Sequence, residues 1–500
     1  METLQRLHNR GSISTGFDID NSLSLKAANS EHLYRTMVNG NRRTWTYSIW
    51  FKKSTNLLTN GYCLIHYGVN HQANRMFISD NDDTIYLDLA DTTNNLYQSQ
   101  TKRRFRDNAA WYHIVWRVDT TQSTAADRMR LYVNGVEETE WTSQTLPPQN
   151  LDTMVNTTAG GYDDMGIGTY VWAGSSYDNL FDGYIAQVAH VDGQSYAPTE
   201  FGEFDEDSNI WKPKDLSDIT WGSSNNSFFL DFENSSDLGA NAKGNDANFS
   251  VSNVTAVDQA TDTPTNNFAN LVPAWTGAGG ASSTLINSGT TWDINMPSGS
   301  AFNHNTTAMS NFQMSGTNGG KWYIETKITN NNRAHVGIFA SLNYLQQTSD
   351  PTEYVYWDFY NGWIGSSLIS TETNPPGCSD GDIIGLAIDC DNQRVTFSKN
   401  GGWLVANGDM TGTSPSDWRW DWTSDADFLD HPKCNGNVAF YCGIATDSNT
   451  FRPIHQVNFG GFSPYTISSG NSDANGYGNF EYAVPSGFYA LCTKNLAEFG

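Results

Sequence analysis

The sequence predicts an all-β protein made of two tandem β-sandwiches of jelly-roll type. Its 500 residues exceed what one hydrophobic core usually serves, so two domains are expected. Aromatic residues reach 13%, and the 44 glycines are joined by many Asn, Asp, Ser and Thr residues, a composition typical of strands linked by tight turns. Short apolar runs alternate with turn signals, and no long amphipathic helical pattern interrupts them.

The most informative stretch is GDIIGLAIDCDNQRVTFSKNG, residues 381–401. Residues 383–388 are apolar and rich in β-branched side chains, which predicts a buried strand. Residues 394–398 alternate polar and apolar side chains, which predicts a return strand with one face in the core and one in solvent. Asn400-Gly401 is a tight-turn signal. The stretch therefore predicts a β-hairpin within a sandwich.

This hairpin resembles the core of the SPRY domain, whose signature joins a GD-(I/V)-(I/V)-G strand to an FSKNG strand. Further SPRY-like motifs flank it in the expected order: GKWYIE at 320–325, VGI at 336–338, VAFYCG at 438–443 and VNFG at 457–460. The resemblance implies a SPRY-like β-sandwich over residues 256–500. Because SPRY folds are binding modules, it implies binding and no catalysis.

The first half of the chain also alternates strands and turns. Its strand candidates are residues 47–51, 62–67, 76–78, 85–89, 111–119, 129–135 and 181–188. The dipeptide Asn134-Gly135 is a second tight-turn signal. In residues 111–119 alternate side chains take opposite faces, and we expect His113 to be a packed core histidine. FFLDF at 228–232 is too apolar for a linker, so we expect it to close the first domain and to give the strand around residues 17–25 a partner.

The order of WYHIVW, RLYVNG and FDGYIAQV resembles a laminin G-like, concanavalin A-like sandwich, which we place at residues 1–255 together with an N-terminal anchor segment. Residues 234–267 are rich in Asn, Asp, Ser and Thr and predict the domain boundary. The opening LQRLHNRGSISTGFDIDNSLSL, the segment DTPTNNFANL and the ending VPSGFYALCTKNL are similar to virion proteins of tailed phages, especially marine ones. That similarity covers nearly the whole chain.

The phage resemblance implies a structural protein that is exposed on the virion and assembled in the host cytoplasm. Its expected partners are other virion proteins and a glycan or protein of the host surface, and a homotrimer is expected on family grounds. The first hypothesis is a tail fibre or adhesin. The alternative is a capsid decoration or head-fibre protein, and a glycan-depolymerising tailspike is the least favoured of the three.

The charge balance argues against a nucleic-acid partner, because 28 Lys and Arg face 54 Asp and Glu, a net charge of −26. The start METLQRLHNRGSIST lacks the apolar run of a secretory signal, and no 18-residue apolar stretch exists, so we expect no membrane insertion. The six cysteines show no C-x-x-C spacing. Buried free thiols are therefore expected, and a zinc site is not.

Catalytic patterns are weak, so we expect no enzyme activity. Glu203, Asp205 and Asp207 alternate as the carboxylates of concanavalin-like glucanases do, but the last acid is Asp where the longer Glu is needed. No apolar strand surrounds them, which favours a solvated acidic loop. The sequence contains no H-E-x-x-H and no phosphate-binding glycine motif.

No cofactor is certain, but laminin G-like sandwiches often hold one Ca²⁺ with loop oxygens. Asp163 and Asp164 lie in a glycine-rich loop and Asp182 precedes a glycine, so these three side chains are our calcium candidates. Residues 80–83, with sequence DNDD, are a second oxygen-rich loop. A solvated loop is the default interpretation for both.

The best ligand-binding candidates are aromatic. In WRWDW the residues Trp418, Trp420 and Trp422 would lie on one side of an extended strand, with Arg419 and Asp421 on the other. Flat rings beside charges suit sugar rings, and they equally suit a protein interface or the core. A second aromatic patch has similar alternatives, and its members are Trp357, Tyr360 and Trp363.

The N-terminus is basic in an otherwise acidic chain. Arg6, His8 and Arg10 form this basic segment. Together with the phage resemblance they predict docking on an acidic virion partner, and a solvated terminus is the alternative.

Overall fold

In the computed structural model the chain divides into two compact units, Met1–Thr265 and Asn266–Gly500. The structure describes residues 16–54, 61–68, 74–93, 95–158, 163–172, 176–206, 208–222, 226–242, 248–275, 282–295, 306–330, 334–339, 354–359, 363–366, 377–418, 420–422, 436–444 and 453–500. Among these residues no helix is long and apolar enough to cross a membrane.

The division falls beyond the boundary predicted at residue 255, because the polar segment that follows residue 255 is bound by the first unit. The buried Lys52 Nζ donates to the buried carboxylate of Asp262 at 2.8 Å. Ser22 Oγ donates to the Asp262 carbonyl oxygen at 2.6 Å. Composition alone marked residues 234–267 as the domain boundary, whereas the ion pair and hydrogen bonds of Asp262 fasten this part of the segment to the sandwich.

The first unit contains twenty strands in the part of it that the structure describes. They are β1 Ser22–Leu25, β2 His32–Thr36, β3 Thr44–Lys53, β4 Tyr62–Tyr67, β5 Asn74–Ile78, β6 Thr84–Ala90, β7 Leu96–Arg104, β8 Tyr112–Asp119, β9 Met129–Val133, β10 Val136–Glu137, β11 Trp141–Gln144, β12 Asp164–Ile167, β13 Tyr170–Trp172, β14 Ser176–Asp178, β15 Gly183–Asp192, β16 Gly202–Phe204, β17 Trp211–Pro213, β18 Phe228–Leu230, β19 Ser250–Ser252 and β20 Gln259–Ala260. Short 3₁₀ helices span Ala27–Asn29, Ala125–Asp127, Pro198–Glu200 and Ala256–Asp258.

Sixteen of these strands form two antiparallel sheets that enclose one core, and the other four form the separate hairpins β13–β14 and β16–β17. The first sheet has the order β10-β9-β8-β3-β15-β1-β20, with β18 also beside β15. The second sheet has the order β11-β7-β6-β5-β4-β12-β2-β19. Trp45 and Trp116 of the first sheet pack edge to face at 4.9 Å and share the core with Tyr67 and Leu87 of the second. The arrangement is the predicted β-sandwich.

The second unit contains seventeen strands and one α-helix among its described residues. They are β21 Leu271–Trp275, β22 Ser282–Ile286, β23 Thr291–Asn295, β24 Thr306–Ser310, β25 Met314–Ser315, β26 Lys321–Thr329, β27 Ala334–Phe339, β28 Tyr354–Asp358, β29 Trp363–Ser366, β30 Ile383–Asp389, β31 Arg394–Lys399, β32 Gly402–Leu404, β33 Met410–Gly412, β34 Trp420–Asp421, β35 Asn437–Ile444, β36 Ile454–Asn458, β37 Tyr489–Ala490 and α1 Thr493–Phe499.

This unit is a second sandwich. The third sheet has the order β21-β24-β35-β27-β28-β29, with β25 beside β35. The fourth sheet has the order β22-β23-β36-β26-β30-β31-β32-β33, with β34 beside β31 and β37 beside β26. Leu386 and Phe397 of the fourth sheet pack in one core with Val336 and Phe440 of the third. The all-β prediction of two tandem sandwiches is confirmed.

A chain segment near the C-terminus covers the outer face of the fourth sheet. Phe480 and Phe488 pack on Tyr323, Ala387 and Trp403, which point away from the main core. Thr396 and Ser398, which were predicted to face solvent, are therefore buried. The hairpin itself is confirmed, because β30 pairs with β31 in an antiparallel register.

The turn predictions depend on left-handed backbone conformations, and the structure contains them. Asn400 and Gly401 have φ of 48° and 80°, and Asn134 and Gly135 have φ of 48° and 77°. Two consecutive positive φ values belong to the type I′ turn that suits the twist of a hairpin. β18 closes the first unit against β15 as predicted, whereas β1 finds its partners in β15 and β20 rather than in β18.

Candidate functional site

The candidate site is the outer face of the second sheet, where β5, β6 and β7 lie side by side. Alternate residues of these strands point away from the core, and the register pairs Arg75 with Asp88, Phe77 with Tyr86, Asp88 with Gln98, and Tyr86 with Gln100. We name this set of six residues the open sheet face: Arg75, Phe77, Tyr86, Asp88, Gln98 and Gln100.

A chain of polar contacts crosses the three strands. Arg75 Nε donates to Asp88 Oδ2 at 2.6 Å, and Gln98 Nε2 donates to Asp88 Oδ1 at 2.7 Å. The Asp88 side chain is only 1% exposed, whereas that of Arg75 is 20% exposed. Both oxygens of the carboxylate therefore have donors, and the acid positions its two neighbours from beneath the surface.

Two aromatic rings lie beside this chain of contacts. Phe77 and Tyr86 pack edge to face with their centroids 6.5 Å apart, and the Arg75 guanidinium lies 4.8 Å from the Phe77 centroid. Both rings are half-buried. Desolvation, together with the nearby charges of Asp82 and Asp88, raises the pKa of Tyr86, so its hydroxyl stays protonated at neutral pH.

The amide of Gln100 is also held in place. Its Nε2 donates to Asp82 Oδ2 at 3.3 Å and to Thr84 Oγ1 at 3.1 Å. A carboxylate only accepts hydrogen bonds, so Asp82 and Asp88 fix the NH₂ ends of Gln100 and Gln98 toward themselves. The Gln100 side chain also forms a hydrogen bond with the side chain of Tyr86.

The hairpin β13–β14 borders the open sheet face and covers the neighbouring part of the same sheet. The Tyr170 ring lies 4.2 Å from that of His66, and the Val171 N–H donates to His66 Nδ1 at 3.4 Å. Tyr177 lies 4.1 Å from His32 in the same manner. The sheet face is thus open over β5, β6 and β7 and closed over β4 and β12.

This arrangement is equipped for binding. It offers aromatic surface, guanidinium N–H groups and two fixed amide oxygens. Its one buried acid, Asp88, is satisfied by two donors and lies out of reach of a surface ligand. No second carboxylate faces it across a cleft among the six residues, although glycoside hydrolysis needs such a pair.

The structure separates the tryptophans of the WRWDW segment. Trp422 is buried in the main core and donates its indole N–H to the Gly316 carbonyl at 3.0 Å. Trp418 is half-buried on the other side of the sheet, where it stacks on Phe488 at 6.1 Å beneath the Arg394 guanidinium at 4.2 Å. The strand here is only Trp420–Asp421, so the alternation that would align all three indoles is not sustained.

Of the remaining residues of this segment, Asp421 is exposed. Arg419 and the Trp420 side chain lie outside the described residues. In the second aromatic patch Trp357 is fully buried and packs on Phe397 at 6.0 Å, so it is a core residue like Trp422. Tyr360 and the Trp363 side chain lie outside the described part. The interpretation of Trp357 and Trp422 as ligand contacts is therefore wrong.

The expected calcium ligands do not converge. Asp164 lies beside the C-terminal end of β4, where its carbonyl accepts the Gly68 N–H at 2.7 Å, and Asp163 precedes it. Asp182 is buried near the opposite end of β4, where its carboxylate accepts the Ser54 hydroxyl. The described residues contain no group of three or more His, Cys, Asp or Glu that could hold a metal. In the loop at 80–83, Asp83 pairs with Lys53 at 2.7 Å.

The acidic segment of Glu203 and Asp205 begins in a short hairpin, β16–β17, rather than in the loop that we predicted. Lys212 lies 3.4 Å from Glu203 and 3.3 Å from Asp205. Hydrogen bonds from Ser208, with a contribution from Lys212, lower the pKa of Asp205 to about 2. Asp207 lies outside the described residues. The two described acids are therefore paired with one lysine.

His113 is a buried core histidine, as predicted. Trp211 Nε1 donates to its Nδ1 at 2.9 Å, so its Nε2 carries the proton and donates to Ser48 Oγ at 2.9 Å. Desolvation lowers its pKa to about 3. The basic residues Arg6, His8 and Arg10 lie outside the described residues, and the docking prediction stays a prediction.

None of the six residues of the open sheet face was among the site residues predicted from the sequence. Strand β7 has the sequence LYQSQTKRR, which lacks the apolar alternation by which strands are recognised. A signal was present in Arg75 and Phe77, Tyr86 and Asp88, and Gln98 and Gln100, since each pair is spaced by two. Only the register of three strands shows that these pairs share one surface.

Fold and site together define a tandem β-sandwich protein with a polar and aromatic sheet face on its first unit. Residues 27–194 match the family described as the concanavalin A-like lectin/glucanases superfamily, in its laminin G form. The first unit therefore contains a laminin G-like, concanavalin A-like domain, as expected from the WYHIVW, RLYVNG and FDGYIAQV motifs. No curated protein matches the chain.

Solved structures resemble the chain at low sequence identity. Domains LG4-5 of the mouse laminin alpha1 chain are 8% identical, with 93% of this chain and 87% of that chain covered and a TM-score of 0.27. A pentraxin from Limulus polyphemus is 15% identical, with coverage of 36% and 80% and a TM-score of 0.26. The SPRY domain of human HERC1 is 14% identical, with coverage of 35% and 92% and a TM-score of 0.23.

Proposed function

We propose that this chain is a binding protein on the surface of a tailed-phage particle, a tail fibre or adhesin that contacts a glycan or protein of the host surface. The observation that carries the binding role is the open sheet face, where ordered polar groups and two rings lie on a rigid sheet. Sites on strands hold their side chains more precisely than sites on loops. The virion location is inferred from the sequence resemblance, which covers nearly the whole chain.

A binding role accounts for the chemistry of this face better than catalysis does. Asp88 has both oxygens occupied, and Glu203 and Asp205 share one ion-pair partner, Lys212, at the surface of a small hairpin. A general acid for glycoside hydrolysis must be accessible and must have a raised pKa, whereas the pKa of Asp205 is lowered. We therefore propose a non-catalytic protein whose partners are other virion proteins and one host-surface ligand, arranged as a homotrimer.

The experiment is a cell-binding assay with the purified full chain. The fluorescently labelled protein should bind cells of the host bacterium and delay adsorption of the phage. The variant Tyr86→Ala should lose most of this binding, because it removes one ring and a hydroxyl from the open sheet face.

Gln149→Ala is a matched control on an exposed loop that is not part of this face. There the Gln149 amide donates a hydrogen bond of 3.0 Å to the Thr121 carbonyl oxygen. This variant should bind cells as the parent does. A chain that leaves host cells unlabelled, and that electron microscopy finds in hundreds of copies on the capsid, would be the decoration protein of the alternative hypothesis. Release of reducing ends from host polysaccharide would instead establish a depolymerase.

A further inference from the structure

We propose that the open sheet face binds a neutral glycan chain and discriminates against sugars that carry carboxylate or sulfate groups. The inference rests on the proposed role in host-surface binding and names the class of ligand that this face takes. It is argued from the charge balance, the hydrogen-bonding groups and the width of the face.

The charge balance comes first. The only cation of the face, Arg75, is paired at 2.6 Å with Asp88, whose carboxylate is buried beneath it. Asp82 lies at the edge of the face and accepts the Gln100 amide at 3.3 Å. The whole chain carries a net charge of −26. The cations at the end of β7 are also paired with acids: Lys102 lies 2.9 Å from Glu140, Arg103 lies 2.7 Å from Glu138, and Arg104 lies near Asp82. An acidic sugar would therefore meet cations that already have acidic partners, in a chain whose net charge repels it.

The hydrogen-bonding groups suit hydroxyls. Asp88 and Asp82 draw the NH₂ groups of Gln98 and Gln100 toward the sheet, and this leaves the two Oε1 atoms as acceptors. Arg75 uses its Nε–H for Asp88 and keeps further N–H groups on a side chain that is 20% exposed. A ligand must then both donate and accept hydrogen bonds at neighbouring positions, as the hydroxyl groups of a sugar do and a carboxylate does not.

The width of the face suits an extended chain rather than a single small group. β5, β6 and β7 are neighbours, so Phe77, Tyr86 and Gln100 form a row about 10 Å long across the strands. The two rings provide apolar contact for the C–H faces of sugar rings, and the glutamine at the end provides a polar contact. A second row, formed by Arg75, Asp88 and Gln98, runs parallel to the first across the same three strands.

The test is affinity electrophoresis of the full chain in gels that contain one soluble polysaccharide each. The neutral set is glucan, xylan, mannan and galactan, and the acidic set is polygalacturonate, alginate and dextran sulfate. At least one neutral polymer should retard the protein, and added salt of about 0.5 M should leave the retardation unchanged, since screening acts only on charged ligands. The double variant Gln98→Ala/Gln100→Ala should weaken it about tenfold, because two hydrogen bonds are lost.

Asp88→Asn provides a second arm, because it keeps the shape of the side chain and leaves the Arg75 charge uncompensated. This variant should gain salt-sensitive retardation by polygalacturonate. If Asp88→Asn fails to fold, the glutamine double variant and Gln149→Ala as its control still decide the matter. Retardation of the parent chain only by acidic polymers, or equal retardation of the double variant and the parent, overturns the inference.

The two proposals fail in different ways. Tyr86→Ala could abolish host-cell binding while only acidic polysaccharides compete with the cells for the protein. That result would keep the adhesin role and reject the neutral ligand. Host-cell binding could also be insensitive to every polysaccharide and be lost when the cells are treated with protease. That result would identify a protein ligand and would also reject the inference. Absence of cell binding rejects the adhesin role itself.

Discussion

The outer faces of the second and fourth sheets are both formed by outward-pointing residues of adjacent strands, but only the face of the fourth sheet is covered by another segment of the chain. In the first unit Tyr86 and Gln100 point outward from adjacent strands and remain half-buried at the surface. In the second unit Ala387 and Thr396 point outward from adjacent strands in the same way, and the segment that contains Phe480 and Phe488 covers that face. A sheet face becomes a binding surface only where no other segment of the chain occupies it.

The covering segment of the second unit is fastened by a buried acid. Glu325 accepts hydrogen bonds from the hydroxyls of Tyr323 and Tyr465 at 2.9 and 3.1 Å, and from the backbone N–H groups of Glu481 and Tyr482 at 2.9 and 2.8 Å. Asp88 plays a comparable part in the first unit, but its donors are surface side chains. A buried carboxylate thus holds the covering segment on the fourth sheet, and another positions the surface side chains of the open sheet face.

The largest effect is expected from Glu325→Ala. The substitution leaves two tyrosine hydroxyls and two backbone N–H groups without their acceptor, so the second unit should lose about 3 to 5 kcal/mol of its free energy of unfolding. Urea denaturation followed by tryptophan fluorescence measures the change. The exposed Glu498→Gln should alter stability by less than about 0.5 kcal/mol. An unchanged unfolding midpoint for Glu325→Ala would show that the covering segment is held by other contacts.

A lysine placed at matched outward positions contrasts the two faces directly. Thr396→Lys puts a charge beneath the covering segment and should destabilise the second unit by about 3 kcal/mol. Tyr86→Lys adds the same charge to the open sheet face and should cost the first unit less than about 1 kcal/mol, because the position is half-exposed. Denaturation of both variants under one set of conditions gives the comparison. Equal losses would contradict the assignment of one face as open and the other as covered.

Acid should destabilise the first unit more than the second. Desolvation lowers the pKa of His113 and of His190 to about 3 in the first unit, and that of His455 to about 4 in the second. Each histidine binds a proton in the unfolded chain near pH 6.5 but stays neutral when folded. The stability that each contributes is therefore complete above pH 6.5 and is lost as the pH falls toward the folded-state pKa.

The free energy of unfolding should fall by at most about 2.7 kcal/mol per pH unit for the two histidines of the first unit, and by at most about 1.4 kcal/mol per pH unit for the one histidine of the second. Desolvation raises the pKa of Glu31 in the first unit and of Glu325 in the second, and both acids oppose the loss because the folded state takes up their protons first. The difference between the units therefore rests on their buried histidines. Calorimetry between pH 7 and pH 5 should show one transition shifting further than the other, and Glu325→Ala identifies the transition of the second unit. Parallel shifts of both transitions would be inconsistent with this difference.

The smallest effect concerns the thiols. Cys63 of the first unit, and Cys378, Cys390, Cys442 and Cys492 of the second, are buried free cysteines, as the sequence predicted. Burial raises the pKa of Cys63 and of Cys492 to about 12, so the reactive thiolate is scarce at neutral pH. A thiol reagent should leave these five unmodified in the native chain and modify them after denaturation. Rapid native labelling of Cys63, located by peptide mapping, would show that the first unit opens readily.

The sequence by itself determined the class of fold and the position of its clearest strands. Apolar alternation predicted β8 and β31, and a continuous apolar run predicted β30, because such patterns reflect contacts that each strand makes with the core it faces. The Asn-Gly pairs predicted two turns, because positive φ values restrict the residue types allowed there. Local chemistry was sufficient for these features.

Only the tertiary structure decided what lies on the outside. The polar strand β7 lacks apolar alternation, yet its register beside β6 places Gln98 and Gln100 in the open sheet face. The tryptophans at 357 and 422 had suggested a ligand surface, and distant strands enclose them in the core. Alternation shows that two faces differ, but which face meets solvent depends on segments far away in sequence. Exposure is therefore a property of the assembled chain.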